Sequence, residues 1–221
     1  MIGDRTIFFD TLGSTNKYLL ENWQILPSET VVWAKQQQNA YGRKKSFWSS
    51  NSGGLWFSVL FKPKKRPVNP WHYVSLYSLT VYDILKEDDI KAQIKWPNDI
   101  YWKSKKLGGI LVENTITTSI ITNSILGLGL NVNQLEFPSD LPNPVSIGQI
   151  IPGNHNLSLM LNGLANSIEH RYLQLRRGEK QTLDEDYKKA LFRCEEWAFY
   201  EDKKGKFPGC IKGVDNQGLL K

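Results

Sequence analysis

Lys106 stands beside a glycine pair in the stretch Lys105-Lys106-Leu107-Gly108-Gly109-Ile110-Leu111-Val112-Glu113. Glycines inside an apolar strand weaken it, so a pair there marks a bulge or a ligand laid against bare backbone. An ammonium held at such a place can stabilise charge developing on a phosphoryl oxygen. Just upstream, Lys95-Trp96-Pro97-Asn98-Asp99-Ile100 reads as part of a hairpin with Pro97, Asn98 and Asp99 in its turn. Ser14-Thr15-Asn16 sits between a strand pattern and a helix pattern. Ser14 can cap that helix, and the exposed N–H and hydroxyl groups there can equally hold a polar ligand group. Residues 37–54 mix Gly42, Arg43, Lys44, Lys45 and Trp48 into a segment too polar to pack. The structural reading is a solvated loop. The chemical reading is a basic flap that closes over a phosphate-bearing ligand, with forked donors from arginine and Trp48 as a stacking surface. Gly53 and Gly54, ahead of a strand, suggest close approach of backbone to ligand. The stretch Gly127-Leu128-Gly129-Leu130-Asn131 is no dinucleotide fingerprint, because residue 132 is Val and no helix opens there. A phosphate-cradling G-x-x-x-x-G-K-[ST] loop is also missing, which leaves residues 127–131 as the wall of a cleft.

These segments need elements to position them. Strands are predicted over 6–9, 30–35, 54–62, 92–95, 107–115 and 120–130 from aromatic and β-branched content. Helical spacing places one helix from Ser14 through Trp23 and a longer one over 69–86, with Val74, Tyr77, Val81, Ile84 and Leu85 inward. After a proline-rich crossover over 131–156, Leu157, Leu161, Leu164, Ile168, Tyr172 and Leu175 mark a third helix. Leu183, Tyr187, Leu191 and Phe192 mark a fourth. The order is α+β or mixed, not a regular doubly wound sheet. From residue 195 the pattern turns back to strands, with a turn at 216–218. A boundary there gives units 1–194 and 195–221, the second too short for a core of its own and so leaning on the first.

With 40% hydrophobic and 23% charged residues among 221, the chain matches a globular protein and excludes wholesale disorder. The uncharged stretch 114–135 is broken by Asn, Thr, Ser and Gly, so it is no membrane span. The first residues have no secretory pattern. Cys194 and Cys210 cannot build a disulfide framework, and with three histidines they complete no zinc site, so no metal ligands are assigned. A cytoplasmic setting is expected. The net charge of +6 admits nucleic acid or anionic ligands. Its clusters at 43–45, 62–66, 103–106 and 203–206 fall near loop residues and make no helical stripe. A strand beginning at residue 6 leaves no room before it for a helix-turn-helix, so operator reading is not expected. Neither nucleic acid nor a membrane is expected as a partner.

Taken together and in this order, the segments resemble the biotin protein ligases. Lys95-Trp96-Pro97-Asn98-Asp99, followed by Lys106 to Glu113 as K-x-x-G-I-L-x-E, carries most of the resemblance. Ser14-Thr15-Asn16 and the G-x-G-x-N of 127–131 add to it. The family's loop, G-R-G-R-x-G-R-x-W, aligns with 40–48, where Gly42, Arg43 and Trp48 hold the pattern. Ala40 and Lys45 replace glycines and Tyr41 replaces the first arginine.

The resemblance implies an α+β fold with a mixed, mainly antiparallel central sheet packed with helices, plus a short SH3-like β piece at the C-terminal end. It implies ATP-dependent attachment of biotin to a lysine of a biotin carboxyl carrier protein, the acetyl-CoA carboxylase subunit, through biotinyl-5′-AMP, with Mg2+ accompanying ATP. Carried over by position, Ser14, Thr15, Asn16, Gln37, Gly42, Arg43, Lys106, Gly109, Leu111, Gly127 and Gly129 hold biotin. Arg43, Trp48, Asn98, Lys106 and Asn131 serve ATP. Lys106 and Arg43 are catalytic, with Asp99 orienting or deprotonating the acceptor lysine. Residues 39–48 are expected to be mobile without ligand and ordered with it. A homodimer is compatible with the resemblance. Two alternatives stand beside it: a lipoate or octanoate ligase or transferase of the same architecture, and a non-catalytic basic binding protein.

Overall fold

The computed structural model describes residues 1–63, 69–117 and 120–221. Lys64, Lys65 and Arg66 of the second basic cluster, and Thr118 and Ser119 of the uncharged stretch, lie outside them. Seven strands form one sheet: β1 (Thr6–Leu12), β2 (Val31–Gln37), β3 (Leu55–Phe61), β4 (Ala92–Lys95), β5 (Asp99–Trp102), β6 (Lys105–Thr117) and β7 (Ile120–Leu130). Their order is β1-β2-β3-β7-β6-β5-β4. Only β1 and β2 run parallel, and the connection between them holds α1 (Thr15–Asn22). All other neighbours are antiparallel, as expected for the mixed, mainly antiparallel sheet.

Side chains alternate across a strand, so the fully buried β3 serves two layers. Leu55, Phe57, Val59 and Phe61 face the main core, where α2 (Pro70–Glu87), α4 (Leu157–Arg177) and α5 (Lys180–Ala190) pack. Leu60 faces the other way, joining Leu19, Leu26, Val32 and Ile125 under α1. Asn156 caps α4 by accepting from the Leu159 N–H at 3.0 Å, which accounts for the helix start there. Arg171 of α4 clasps the helical layer: it meets Asp83 of α2 at 2.8 and 3.0 Å and Asp186 of α5 at 2.8 Å.

Several boundaries differ from the sequence reading. Asp99 does not sit in a turn; it opens β5, a strand not anticipated, and pairs with Gly109. Leu191 and Phe192 lie beyond α5 and run along the β4 edge, with the Phe192 N–H donating to the Ile94 carbonyl. Their apolar spacing reported burial, which the sheet edge supplies as well as a helix would. The proline-rich crossover holds a one-turn helix, α3 (Ile147–Ile150), fixed by a capping box between Ser146 and Gln149. A Cβ at Gly54 would lie 2.1 Å from the Trp56 ring, so that glycine admits the protein's own tryptophan rather than a ligand.

The last segment forms a two-stranded sheet, β8 (Trp197–Asp202) with β9 (Gly205–Cys210). Residues 212–221 fold back onto the main body. The Trp96 indole donates to the Gly218 carbonyl at 2.8 Å, and Asn69 donates to the Asn216 carbonyl. Gly218, at φ +87, lies so close to Trp71 that a Cβ would approach the ring to 2.7 Å. Among the described residues, no helix is long and apolar enough to cross a membrane.

Candidate active site

The register of the central strands lines up one row of small and polar positions. Ser58 pairs with Gly127 and Gly127 with Leu111; Trp56 pairs with Gly129, Gly129 with Gly109, and Gly109 with Asp99. Because residues two apart share a face, these positions open on the side of the sheet that carries α1. A cleft of about 240 Å³ lies there, lined by Ser14, Thr15, Asn16, Tyr41, Gly42, Arg43 and Trp48 from above the sheet. Gln37, Asp99, Lys106, Gly109, Leu111, Gly127 and Gly129 line it from the sheet itself, and Asn98 from the turn before β5. All the residues predicted for biotin therefore meet around one hollow.

The glycines are absent side chains with identified occupants. A Cβ at Gly127 would come within 2.2 Å of Asn16 Oδ1, and one at Gly129 within 2.6 Å of Trp48 Nε1. A Cβ at Gly109 would stand 3.2 Å from the Trp48 ring. The floor is thus bare so that Asn16 and Trp48 can descend onto it.

Lys106 reaches the cleft through a defect in the strand. Ile100 pairs with Gly108 and Tyr101 with Lys106, leaving Leu107 without a partner. This extra residue is a β-bulge, and it resets the alternation of β6. Leu107 and Ile110 enter the main core, while Lys106 turns to the face of Gly109. There its Nζ lies 2.8 Å from Asp99 Oδ1 and 5.0 Å from the centre of the Trp48 ring. Of the two readings of Gly108-Gly109, the bulge is what the backbone has.

A hydrogen-bonded cradle forms the other end of the cleft. Gln37 Oε1 accepts from the Thr15 N–H at 2.8 Å, and its Nε2 donates to Ser50 Oγ at 3.1 Å. Ser58 Oγ lies 2.7 Å from Thr15 Oγ1 and 2.6 Å from Asn16 Oδ1. The Asn16 amide donates to Glu113 at 2.8 Å, and the Tyr41 hydroxyl donates to the same carboxylate at 3.1 and 3.2 Å. Burial first, and then the Glu113 charge and hydrogen bond, push the Tyr41 phenol up to about 12. It therefore stays a neutral donor at ordinary pH.

Asn98 and Asn131 hold backbone as well as facing hollows. Asn98 donates to the Ile110 carbonyl at 2.6 Å and lines the cleft. Asn131 donates to the Val145 carbonyl at 3.0 Å and faces a second hollow of about 210 Å³. That hollow adjoins the first across Trp48 and Lys106, which line both, and is completed by Phe47, Phe137, Leu141 and Pro144 among others. In the loop, Tyr41 and Phe47 form a bridge pair, Arg43–Lys45 make a short turn, and Lys44 and Lys45 both take positive φ. Ser58 and Glu113 were missed as site residues by sequence reasoning. Glu113 closes the K-x-x-G-I-L-x-E motif, so its signal was present; Ser58 sits in an ordinary apolar strand and gave none. Among the described residues, no group of three or more His, Cys, Asp or Glu gathers as a metal site.

Comparison with known proteins identifies the family. Residues 8–131, more than half the chain, match the model of the biotin/lipoate A/B protein ligase family. The bifunctional ligase/repressor BirA of Bacillus subtilis is 35% identical over 147 residues, covering 64% of this chain and 44% of that protein. The chain thus spans less than half the length of that relative. The biotin–[acetyl-CoA-carboxylase] ligase of Mycobacterium tuberculosis is 27% identical over 86% of this chain and 71% of its own length. Among solved structures, the biotin protein ligase of Aquifex aeolicus in complex with biotin and ATP superposes with a TM-score of 0.86 at 25% identity, covering 98% of this chain and 90% of that one.

Proposed function

The chain belongs to the biotin/lipoate A/B protein ligase family, and on that footing we propose that it is a biotin ligase that forms biotinyl-5′-AMP and passes the biotinyl group to a carrier lysine. The observation that carries the reading is Lys106, which stands where two hollows meet on one sheet face. Biotin takes the cradle hollow, its ureido ring among Thr15, Asn16 and Gln37. The nucleotide takes the hollow behind Trp48 and Asn131, with Mg2+ entering alongside it.

In the first step a biotin carboxylate oxygen bonds to the α-phosphorus of ATP, the bond from that phosphorus to the bridging oxygen breaks, and pyrophosphate leaves. Both partners are anionic, so a fixed cation must offset their repulsion before proximity helps. Lys106 supplies it, and Arg43 supplies a second from the loop. In the second step the carrier's lysine nitrogen bonds to the acyl carbon, AMP departs with the anhydride oxygen, and the amine loses a proton. Asp99 lies beside Lys106 and takes the accepting role, first holding the ammonium and then facing the incoming amine. The acceptor is a biotin carboxyl carrier protein; the mycobacterial relative is named for acetyl-CoA carboxylase as its target.

Neither Cys194 nor Cys210 lines either hollow, which disfavours an acyl-transferase route through a thiol. The test is exchange of labelled pyrophosphate into ATP. Exchange that depends on biotin supports the proposal; exchange with lipoate and none with biotin overturns it.

A further inference from the structure

The geometry points to Glu113 as a positioning residue that ties the loop to the ligand cradle through Tyr41 and fixes the direction of the cradle's hydrogen bonds. This rests on the ligase reading for its ligand but on the cradle's own geometry for its logic. Glu113 does not line the cleft. It lies behind Asn16, on the same sheet face as Leu111 and Gly109, and its carboxylate receives two donors from different parts of the chain.

The first consequence concerns direction. An ionised carboxylate only accepts, so the Asn16 amide must turn its NH2 group toward it. Asn16 Oδ1 then faces Ser58, whose single hydroxyl proton goes to that oxygen at 2.6 Å. Ser58 Oγ also lies 2.7 Å from Thr15 Oγ1, and the Thr15 hydroxyl lies 3.1 Å from Gln37 Oε1, so the single proton of Thr15 goes to Ser58 or to Gln37. Thr15 Oγ1 is left with lone pairs alone. The buried run Glu113, Asn16 and Ser58 is thus ordered from its far end by a charge, and Thr15, whose one proton is taken up inside the cradle, presents an acceptor to a ligand carrying N–H donors. Asn16 is 4% exposed and Ser58 0%, so water does not substitute for the missing partners.

The second consequence concerns the loop. Tyr41 stands where the family pattern has arginine, and its hydroxyl donates to the carboxylate that orders the cradle. The loop is anchored again by Gln37, whose amide bonds both Thr15 and Ser50. Its two ends are therefore fastened to one network. The neutral tyrosine reaches that carboxylate by a hydrogen bond and brings no charge of its own.

The experiment compares the wild type with Tyr41→Phe and Glu113→Gln. Three quantities are read: release of biotinyl-AMP, biotin affinity without nucleotide, and amide hydrogen exchange over residues 40–48 in the free protein. Tyr41→Phe removes one oxygen, and losing a bond to a charged acceptor predicts roughly 10-fold faster release of the adenylate. It also predicts faster exchange of the Gly42 and Trp48 amides, which bond within the loop to the Ser46 and Ala40 carbonyls. Glu113→Gln, whose amide lets the run point either way, predicts roughly 10-fold weaker biotin binding as well as the loop effect. Wild-type exchange and release in Tyr41→Phe would overturn the tether, and wild-type biotin affinity in Glu113→Gln would overturn the ordering. If the wild type itself makes no adenylate, the ligase reading falls, while the exchange data on the free loop still decide the tether.

Discussion

Replacing Gly127 by alanine tests the cradle with a single methyl group. The new Cβ would lie 2.2 Å from Asn16 Oδ1, 2.9 Å from its Cγ and 3.2 Å from its Nδ2, where ordinary contact begins at 3.4 Å. Gly127 has no positive φ, so alanine adds no backbone strain and by itself would stabilise by about 0.4–1 kcal/mol. The amide of Asn16 must therefore withdraw, and it loses its bonds to Ser58 at 2.6 Å and Glu113 at 2.8 Å. One neutral bond at about 1 kcal/mol and one to a carboxylate at about 1.5–3 kcal/mol, less the alanine gain, leave a deficit of roughly 2–3 kcal/mol. For a chain of this length that deficit lowers the melting temperature by roughly 4–12 °C. Biotin titration would show a loss of at least about tenfold, since Asn16 moves into the space the ligand needs. Thermal unfolding and calorimetry read the two effects. The cause is isolated by repeating the change in an Asn16→Ala background, where the methyl group meets no amide and Gly127→Ala should cost almost nothing further. A melting point within about 1 °C of the wild type in Gly127→Ala, or an equal loss in both backgrounds, would refute the steric account.

Four further outcomes follow from the same geometry. Lys106→Ala should lower adenylate formation by about 10²–10³, measured by pyrophosphate exchange, as expected for loss of a preorganised cation. Arg171→Met should destabilise by roughly 1–3 kcal/mol in urea unfolding, because the half-exposed Asp83 and Asp186 carboxylates lose the charge-assisted hydrogen bonds of the guanidinium that joins them. The Tyr41 phenol is raised above its ordinary value of 10 to about 12. Between those pH values only the unfolded chain ionises at this position, so its contribution to stability is complete below pH 10 and is lost as pH rises toward 12. The stability difference between wild type and Tyr41→Phe should shrink over that interval in unfolding curves, and a constant difference would count against the raised phenol. Trypsin should cut the free protein after Arg43, Lys44 or Lys45, all in an outer turn of the loop, and biotin with ATP should slow that cleavage. Unchanged cleavage would argue that the loop does not close.

Much of the fold was legible because its signals are local. Aromatic and β-branched content located β3 and β7, and period 3.6 located α2 and α4, since each helix presents one face to the core. What local pattern missed was short or ambiguous. The four residues of β5 follow a proline turn and carry too little alternation to declare themselves. Leu191 and Phe192 continue the spacing of α5 after its backbone has left the helix, because the β4 edge buries them equally well.

Residue types alone pointed to a lysine beside bare strand positions and a basic loop, both suited to a phosphate-bearing ligand, because fixed cations stabilise charge developing on a phosphoryl oxygen. The order of the motifs tied them to a family. Which side of the sheet each one faces was beyond the sequence. Lys106 and Gly109 are three apart, and strict alternation would place them on opposite faces; the unpaired Leu107 shifts the register by one residue and brings the lysine to Asp99. The glycines at 127 and 129 read as room for a ligand, and the tertiary structure shows that the room is shaped first by Asn16 and Trp48. Both outcomes depend on contacts between strands distant in sequence, which a single strand's pattern does not encode.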